Sequence, residues 1–181
     1  MKLMIASDIH GSALWAGKLL EVYQQQQPDW LILLGDLLYH GPRNNLPEGY
    51  APKEVIAMLN GIKDKILAVR GNCEAEVDQM VLEFPVMADY SQLVLENGKM
   101  LFFTHGHIFN PEKLPLLPEG SLFAFGHTHI KQAEWKNGIG ILNPGSVSIP
   151  KDGSHSYLLY QDGVFSSYNL ESGEKIAAFA L

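Results

Sequence analysis

The chain has 181 residues, and 13 Lys and Arg against 20 Asp and Glu give a formal charge of −7. That length suits a single domain spanning 1–181, and 46% hydrophobic against 18% charged residues supplies a sizeable core and excludes a disordered polyampholyte. One cysteine, Cys73, excludes a disulfide framework, no apolar run reaches the ~20 residues of a membrane span, and the acidic balance argues against nucleic acid as a partner.

The apolar start, residues 1–6, is too short for a signal peptide, and a lone cysteine fits a reducing compartment, so we expect a soluble, cytoplasmic protein. Residues 2–7 read as a buried strand. Trp15, Leu19, Val22 and Tyr23 then recur at helical spacing, and 24–28 end that helix. Residues 30–34 form a second buried strand with Asp36 just past it. A polar loop with Gly41, Pro42, Pro47 and Gly49 follows. Pro52 is placed to open a helix whose stripe is Val55, Ile56 and Leu59, and 65–69 is a third strand. This β-α-β-α-β order implies parallel strands with ligands near their carboxyl ends.

Beyond residue 85 the pattern turns to hairpins. Asn97-Gly98 separates 92–96 from 99–104, and Asn137-Gly138 separates 132–136 from 139–142. Residues 161–163, Gln-Asp-Gly, separate 157–160 from 164–169. Between the first two hairpins, 122–125 is a short buried strand, and 109–120, with three prolines, reads as a loop. A β-α half followed by a hairpin-rich half predicts two packed sheets with helices outside.

The chemistry concentrates at strand ends. Of seven histidines, five lie in short Gly-flanked segments: His10, His105, His107, His127 and His129. Five segments follow apolar strands: Ser7-Asp8-Ile9-His10-Gly11, Leu34-Gly35-Asp36, Val69-Arg70-Gly71-Asn72-Cys73-Glu74, Thr104-His105-Gly106-His107 and Gly126-His127-Thr128-His129. Each offers carboxylate, imidazole or amide donors on a rigid platform, the mixed N and O set that divalent ions prefer. Any one of them reads as readily as a helix cap or a turn. Five in one chain favour a metal site.

The ordered set Asp-x-His, Gly-Asp, Gly-Asn-Cys-Glu, His-x-His and Gly-His-x-His resembles the calcineurin-like metallophosphoesterase superfamily. The Gly-Asn-Cys-Glu segment, the small size and Asn143-Pro144-Gly145-Ser146 are similar to its compact bacterial and archaeal phosphodiesterase subgroup, to which the eukaryotic retromer subunit is related. The resemblance implies an α/β fold, a four-layer α-β-β-α sandwich of two mixed sheets with flanking helices. It implies two divalent metals, one held by Asp8, His10 and His129, the other by Asn72, His105 and His127, with Asp36 bridging. Such a pair, with a bridging hydroxide as nucleophile, hydrolyses a phosphodiester. Manganese is the first choice; zinc, iron or nickel also suit the donors. The expected partner is a small phosphodiester substrate. The exposed sheet edges permit a homo-oligomer.

Cys73 departs from the pattern, because many members carry His there, thought to protonate the leaving oxygen or bind phosphate. A thiol is a poor acid for an alkoxide, which predicts weak phosphomonoesterase activity and a bias to diesters. Cys73 also reads as a plain small hydrophobe. Asp36, Asn72 and His107 are the candidate catalytic residues; Arg70, Asn72, Cys73 and His107 are the candidates for binding substrate. His107 either faces the phosphate or supports a ligand, and Arg70 forms either a phosphate clamp or a salt bridge anchoring its loop. His40, Arg43 and Asn44 could line a substrate rim. His155 reads as a turn residue, and Glu74, Asp89 and Glu134 as solvated or supporting side chains. The alternative function is a non-catalytic protein-binding scaffold on the same fold, against which stands the completeness of all seven inferred ligand positions.

Overall fold

A computed structural model describes residues 1–181. The first sheet takes its centre from β1 (Lys2–Ala6), which pairs in parallel with β2 (Trp30–Leu33) and antiparallel with β9 (Ser156–Gln161). With β3 (Ile66–Ala68), β10 (Val164–Asn169) and β11 (Lys175–Ala180), the order is β11-β10-β9-β1-β2-β3. The second sheet runs β4-β5-β6-β8-β7, from β4 (Tyr90–Val94), β5 (Met100–Thr104), β6 (Leu122–Ala124), β7 (Lys131–Lys136) and β8 (Ile139–Pro144). Both sheets are mixed, as expected. The third hairpin, β9-β10, joins the first sheet, where its antiparallel pairing extends the parallel β-α-β half.

Period-two alternation decides what each face meets. Leu3, Ile5, Ile32 and Leu34 point between the sheets onto Leu101, Phe103, Leu122, Ala124 and Leu142. Met4, Ala6, Leu31 and Leu33 point the other way onto Trp15, Leu19, Val55 and Leu59 of α1 (Ala13–Gln26) and α2 (Pro52–Asn60). Full burial of each such large side chain contributes about 1.5–3 kcal/mol. Ser12 caps α1 by accepting from the Trp15 N–H, and Pro52 opens α2 as expected. On the outer face of the second sheet, Phe102, Phe123, Phe125, Ile139 and Ile141 are covered by Phe109, Leu114 and Leu117. These come from the proline-containing loop predicted there, so an extended segment fills the place a helix takes on the other side.

Two elements escape the sequence reading. The short helix α3 (Glu76–Val81) buries none of its residues, and β11 buries only Phe179. Without an apolar stripe neither carries a periodic signal. No helix is long and apolar enough to cross a membrane.

Candidate metal centre

All five segments converge at one end of the sandwich, at the carboxyl ends of β1, β2 and β3 from one sheet and of β5 and β6 from the other. Asp8, His10, Asp36, His105 and His129 are buried, whereas Asn72 is exposed and His127 half-buried. On one side His129 Nε2 lies 3.2 Å from Asp8 Oδ1 and 3.3 Å from His10 Nε2. On the other, His105 Nε2 lies 3.0 Å from Asn72 Oδ1 and 3.2 Å from His127 Nδ1. Asp36 Oδ2 sits between them, 3.7 Å from His10 Nε2 and 3.4 Å from His105 Nε2. The seven residues singled out as ligands thus form two sets sharing one carboxylate.

The imidazoles are held with their lone pairs inward. Nδ1 of His10 donates to the Tyr39 carbonyl at 2.8 Å, Nδ1 of His105 to Leu34 at 2.7 Å and Nδ1 of His129 to Ile149 at 2.8 Å. In the neutral rings Nε2 is then the free acceptor, the tautomer that a metal needs. Asp8 Oδ1 is buried and has no hydrogen-bond partner, because each nearby imidazole has spent its N–H elsewhere. An orphaned buried carboxylate oxygen facing a ring of lone pairs fits a cation, and Asp8, His10 and His129 could hold one together.

The backbone is strained to achieve this. Asp8, His10, Asp36, His127 and His129 all have φ between 49° and 63°, in the left-handed region. Such conformations cluster where function over-determines the structure. Close approach of two loops also requires Gly71, where a Cβ would overlap Asp36 Oδ1 and the Asp36 nitrogen.

Supporting groups complete the site, with Glu74 in the supporting of its two readings. Glu74 accepts from three backbone N–H groups: Asp36 at 2.8 Å, Leu37 at 2.7 Å and Gly71 at 2.5 Å. Ser146 Oγ and Ser148 Oγ donate to the Asp8 carbonyl at 2.8 and 3.1 Å. Asn143 Nδ2 donates to the Gly126 carbonyl at 2.9 Å. The Asn143-Pro144-Gly145-Ser146 segment was the visible signal of the last two; the partners of Glu74 are main-chain atoms and leave none.

The remaining candidates are distributed around this centre. Arg70 donates to Asp89 Oδ1 through Nη2 at 2.7 Å and Nε at 3.1 Å, the loop-anchoring of its two readings, and Asp89 thereby has a partner the sequence did not reveal. The His107 ring is 5.4 Å from that of His105 and 6.5 Å from that of His127, with Nδ1 buried and unpartnered. Burial, then the neighbouring His105 and His127, keep its pKa below the usual imidazole value. Cys73 Sγ lies 3.3 Å from Asn72 Nδ2. Burial, then the Asp36 charge, push its thiol far up, so it is protonated throughout the physiological range. His155 is stacked on Trp15, which gives it a packing role beyond a turn.

Burial disfavours a charged His105, yet its contact with Asp36 and the charges of Asp8 and Asp36 outweigh that and push it up to about 9. Burial likewise opposes charge on His10, and Asp8 overcomes it. At pH 7 the metal-free protein therefore holds a proton on His105 that a cation must displace. Metal uptake is expected to release about one proton or more at pH 7, measured calorimetrically in buffers of differing ionisation enthalpy. In the metal-free protein the His105 contribution to stability is fully present below its ordinary value near 6.5 and is lost as pH rises through about 9. Its Tm is expected to fall across that window.

Comparison with known proteins adds to this geometry. The sequence model of a family described as calcineurin-like phosphoesterase superfamily domain matches residues 1–162. The chain is 50% identical over 182 aligned positions to Phosphodiesterase YfcE of Escherichia coli K12, covering 100% of this chain and 98% of that protein. A solved structure of Yfce, a phosphoesterase from E. coli, superposes with a TM-score of 0.97 over 99% of each chain. More distant is Vps29 of Entamoeba histolytica complexed with zinc, 14% identical with a TM-score of 0.62 over 99% of each chain, a likeness of fold.

Proposed function

Because the chain belongs to the calcineurin-like phosphoesterase superfamily, we propose that it hydrolyses small phosphodiesters with two divalent cations. The observation that carries this reading is Asp36 Oδ2, one carboxylate oxygen set between His10 and His105 and so common to both donor sets. Asp8, His10 and His129 would hold one cation, Asn72, His105 and His127 the other, and Asp36 both. When bound, such a pair supplies a deprotonated water near neutral pH and neutralises the phosphoryl oxygens. The family membership and the N and O donors support the metal dependence; manganese is our first choice, with zinc, iron and nickel compatible with the same donors.

The chain's own residues orient and exclude. The three Nδ1–H to carbonyl hydrogen bonds fix the imidazoles before a cation or substrate arrives. Exposed Asn72 and half-buried His127 leave the second donor set open to substrate, and in this reading His107 beside them would contact the ester oxygens. The acidic surface disfavours long polyanions, while a cation-loaded site attracts a small phosphate ester. The free cysteine supports a cytoplasmic setting. A binding scaffold on this fold would leave the orphaned Asp8 Oδ1 as a cost without return.

The high thiol pKa at Cys73 makes it a poor proton donor to an alkoxide, which favours diesters with good leaving groups. Chelated protein should be inactive on bis(4-nitrophenyl) phosphate and recover turnover with added Mn²⁺; no metal-dependent turnover overturns the enzyme reading. Cys73→His is expected to raise 4-nitrophenyl phosphate hydrolysis relative to the diester by about tenfold or more, within the usual span of general acid catalysis. An unchanged ratio would show the leaving-group argument to be wrong.

A further inference from the structure

A cleft of about 590 Å³ opens directly from the donor sets, with Asp36, Asn72, His127 and His129 in its wall. Only two of its twelve lining residues are hydrophobic, and its other charged side chains are Arg43 and Lys151. Four other cations form ion pairs, Lys18 with Glu171, Lys63 with Glu83, Arg70 with Asp89 and Lys131 with Asp152, while Lys53, Lys113 and Lys175 are exposed and unpaired on other parts of the surface. What distinguishes Arg43 and Lys151 is that both line this cleft. Arg43 and Lys151 form no ion pair, and their side chains make no hydrogen bond. Two unpaired cations facing one polar cleft, where carboxylates outnumber cations overall, mark a place for an anion from outside the chain.

Both cations are carried on segments already locked to the centre. Arg43 sits in the turn closed by the Asn44 N–H to the Gly41 carbonyl at 3.3 Å and by Asn44 Nδ2 to the His40 carbonyl at 2.8 Å. This turn directly follows Tyr39, whose carbonyl orients His10. Lys151 donates its backbone N–H to the His129 carbonyl at 3.0 Å, two residues beyond the Ile149 carbonyl that orients His129. Backbone hydrogen bonds therefore fix where Arg43 and Lys151 leave the chain relative to the donor sets. A second cavity, about 500 Å³ and lined by His107, Phe125 and Gln132 among others, opens on the far side of His127 and Thr128. A diester has two substituents, and the site has a cavity for each.

We propose that the substrate is an unsymmetrical phosphodiester with a second phosphate on one arm, and that Arg43 and Lys151 bind that second phosphate in the larger cleft. This rests on the phosphodiesterase reading and deepens it. Arg43 supplies a planar fork matched to phosphate oxygens and Lys151 a compact charge, a pair suited to a phosphate dianion.

The test compares the metal-loaded protein on thymidine 5′-(4-nitrophenyl phosphate) and on the same ester phosphorylated at the 3′ oxygen. The phosphorylated ester should be favoured in kcat/KM by about tenfold or more, the size expected of charge-assisted contacts. In Arg43→Ala/Lys151→Ala that preference should collapse towards unity through loss on the phosphorylated ester. Competitive inhibition gives a readout independent of which arm departs. Thymidine 3′,5′-bisphosphate should inhibit more tightly than thymidine 5′-monophosphate in the parent, and the gap should close in the double variant. A preference that survives the double substitution overturns the proposal, as does an equal loss on both esters, which would place the cations on the scissile phosphate. Metal-dependent turnover without preference overturns this proposal alone; no turnover on either ester overturns the phosphodiesterase reading, and the proposal with it.

Discussion

Asp36→Asn should lower kcat on a bis-aryl phosphate by about a thousandfold or more, because it removes the carboxylate charge set between the two donor sets. The substitution nearly conserves volume. Oδ1 can still accept from the Cys73 N–H, a 2.9 Å hydrogen bond in the parent, so the loop keeps its anchor. What is lost is the negative charge on Oδ2, set between His10 and His105. Bound metal measured by elemental analysis should fall with activity while the far-UV circular dichroism spectrum stays as it was. A further readout is independent of turnover: without the Asp36 charge His105 loses a main cause of its raised pKa, so its imidazole should titrate well below about 9 in the metal-free protein, as NMR would report. Full activity with full metal content in the variant would remove Asp36 from the centre of the mechanism.

Glu74→Ala is expected to be the most destabilising single change near the site. Burial and the Asp36 charge push the Glu74 carboxyl up, while three backbone N–H groups pull it back by hydrogen bonding. Truncation leaves those three donors, from Asp36, Leu37 and Gly71, without their acceptor. Each unsatisfied buried donor costs about 1–3 kcal/mol, and partial access of water to the hole brings the expected total to about 3–5 kcal/mol. Urea unfolding of the metal-free protein measures it. Glu74→Gln should fall between: its oxygen can still serve Asp36 and Gly71, both of which donate to Oε2 in the parent, while its amide would face the Leu37 N–H. A loss below about 1 kcal/mol for the alanine variant would mean that the loop finds other acceptors.

The segments that carry the ligands were legible because each follows a buried strand, where apolar periodicity fixes the strand and polar residues fall beyond its end; which of their residues are ligands came from the resemblance to the metallophosphoesterase pattern. Asp8 after β1 and His105 after β5 are read in this way. Glu74 was read only as solvated or supporting, since a carboxylate that binds main-chain N–H groups needs no particular side chain at its partners' positions. Lys151 was missed for a related reason: its place in the cleft depends on the hydrogen bond of its N–H to the His129 carbonyl, a contact across 22 residues of sequence. The β9-β10 hairpin was visible from Asp162-Gly163. Its sheet was not, because pairing with β1 joins residues as far apart as Lys2 and Gln161. Edge strand β11 and helix α3 were invisible because they bury too little to need a pattern.

The left-handed backbone at Asp8, His10, Asp36, His127 and His129 bears on how this fold can change over evolutionary time. Each such residue carries about 1 kcal/mol of conformational cost that a glycine would not. Against the cost of burial, however, the neighbouring imidazoles hold the Asp8 and Asp36 carboxyls below the usual carboxylate range, and would lose that partner on replacement. In the protein without metal, the backbone gradient towards losing a ligand is thus opposed by the buried contacts between these carboxylates and imidazoles. Selection for turnover holds these side chains against that gradient. Once it lapses, drift to an inert descendant relieves the backbone only by giving up those contacts.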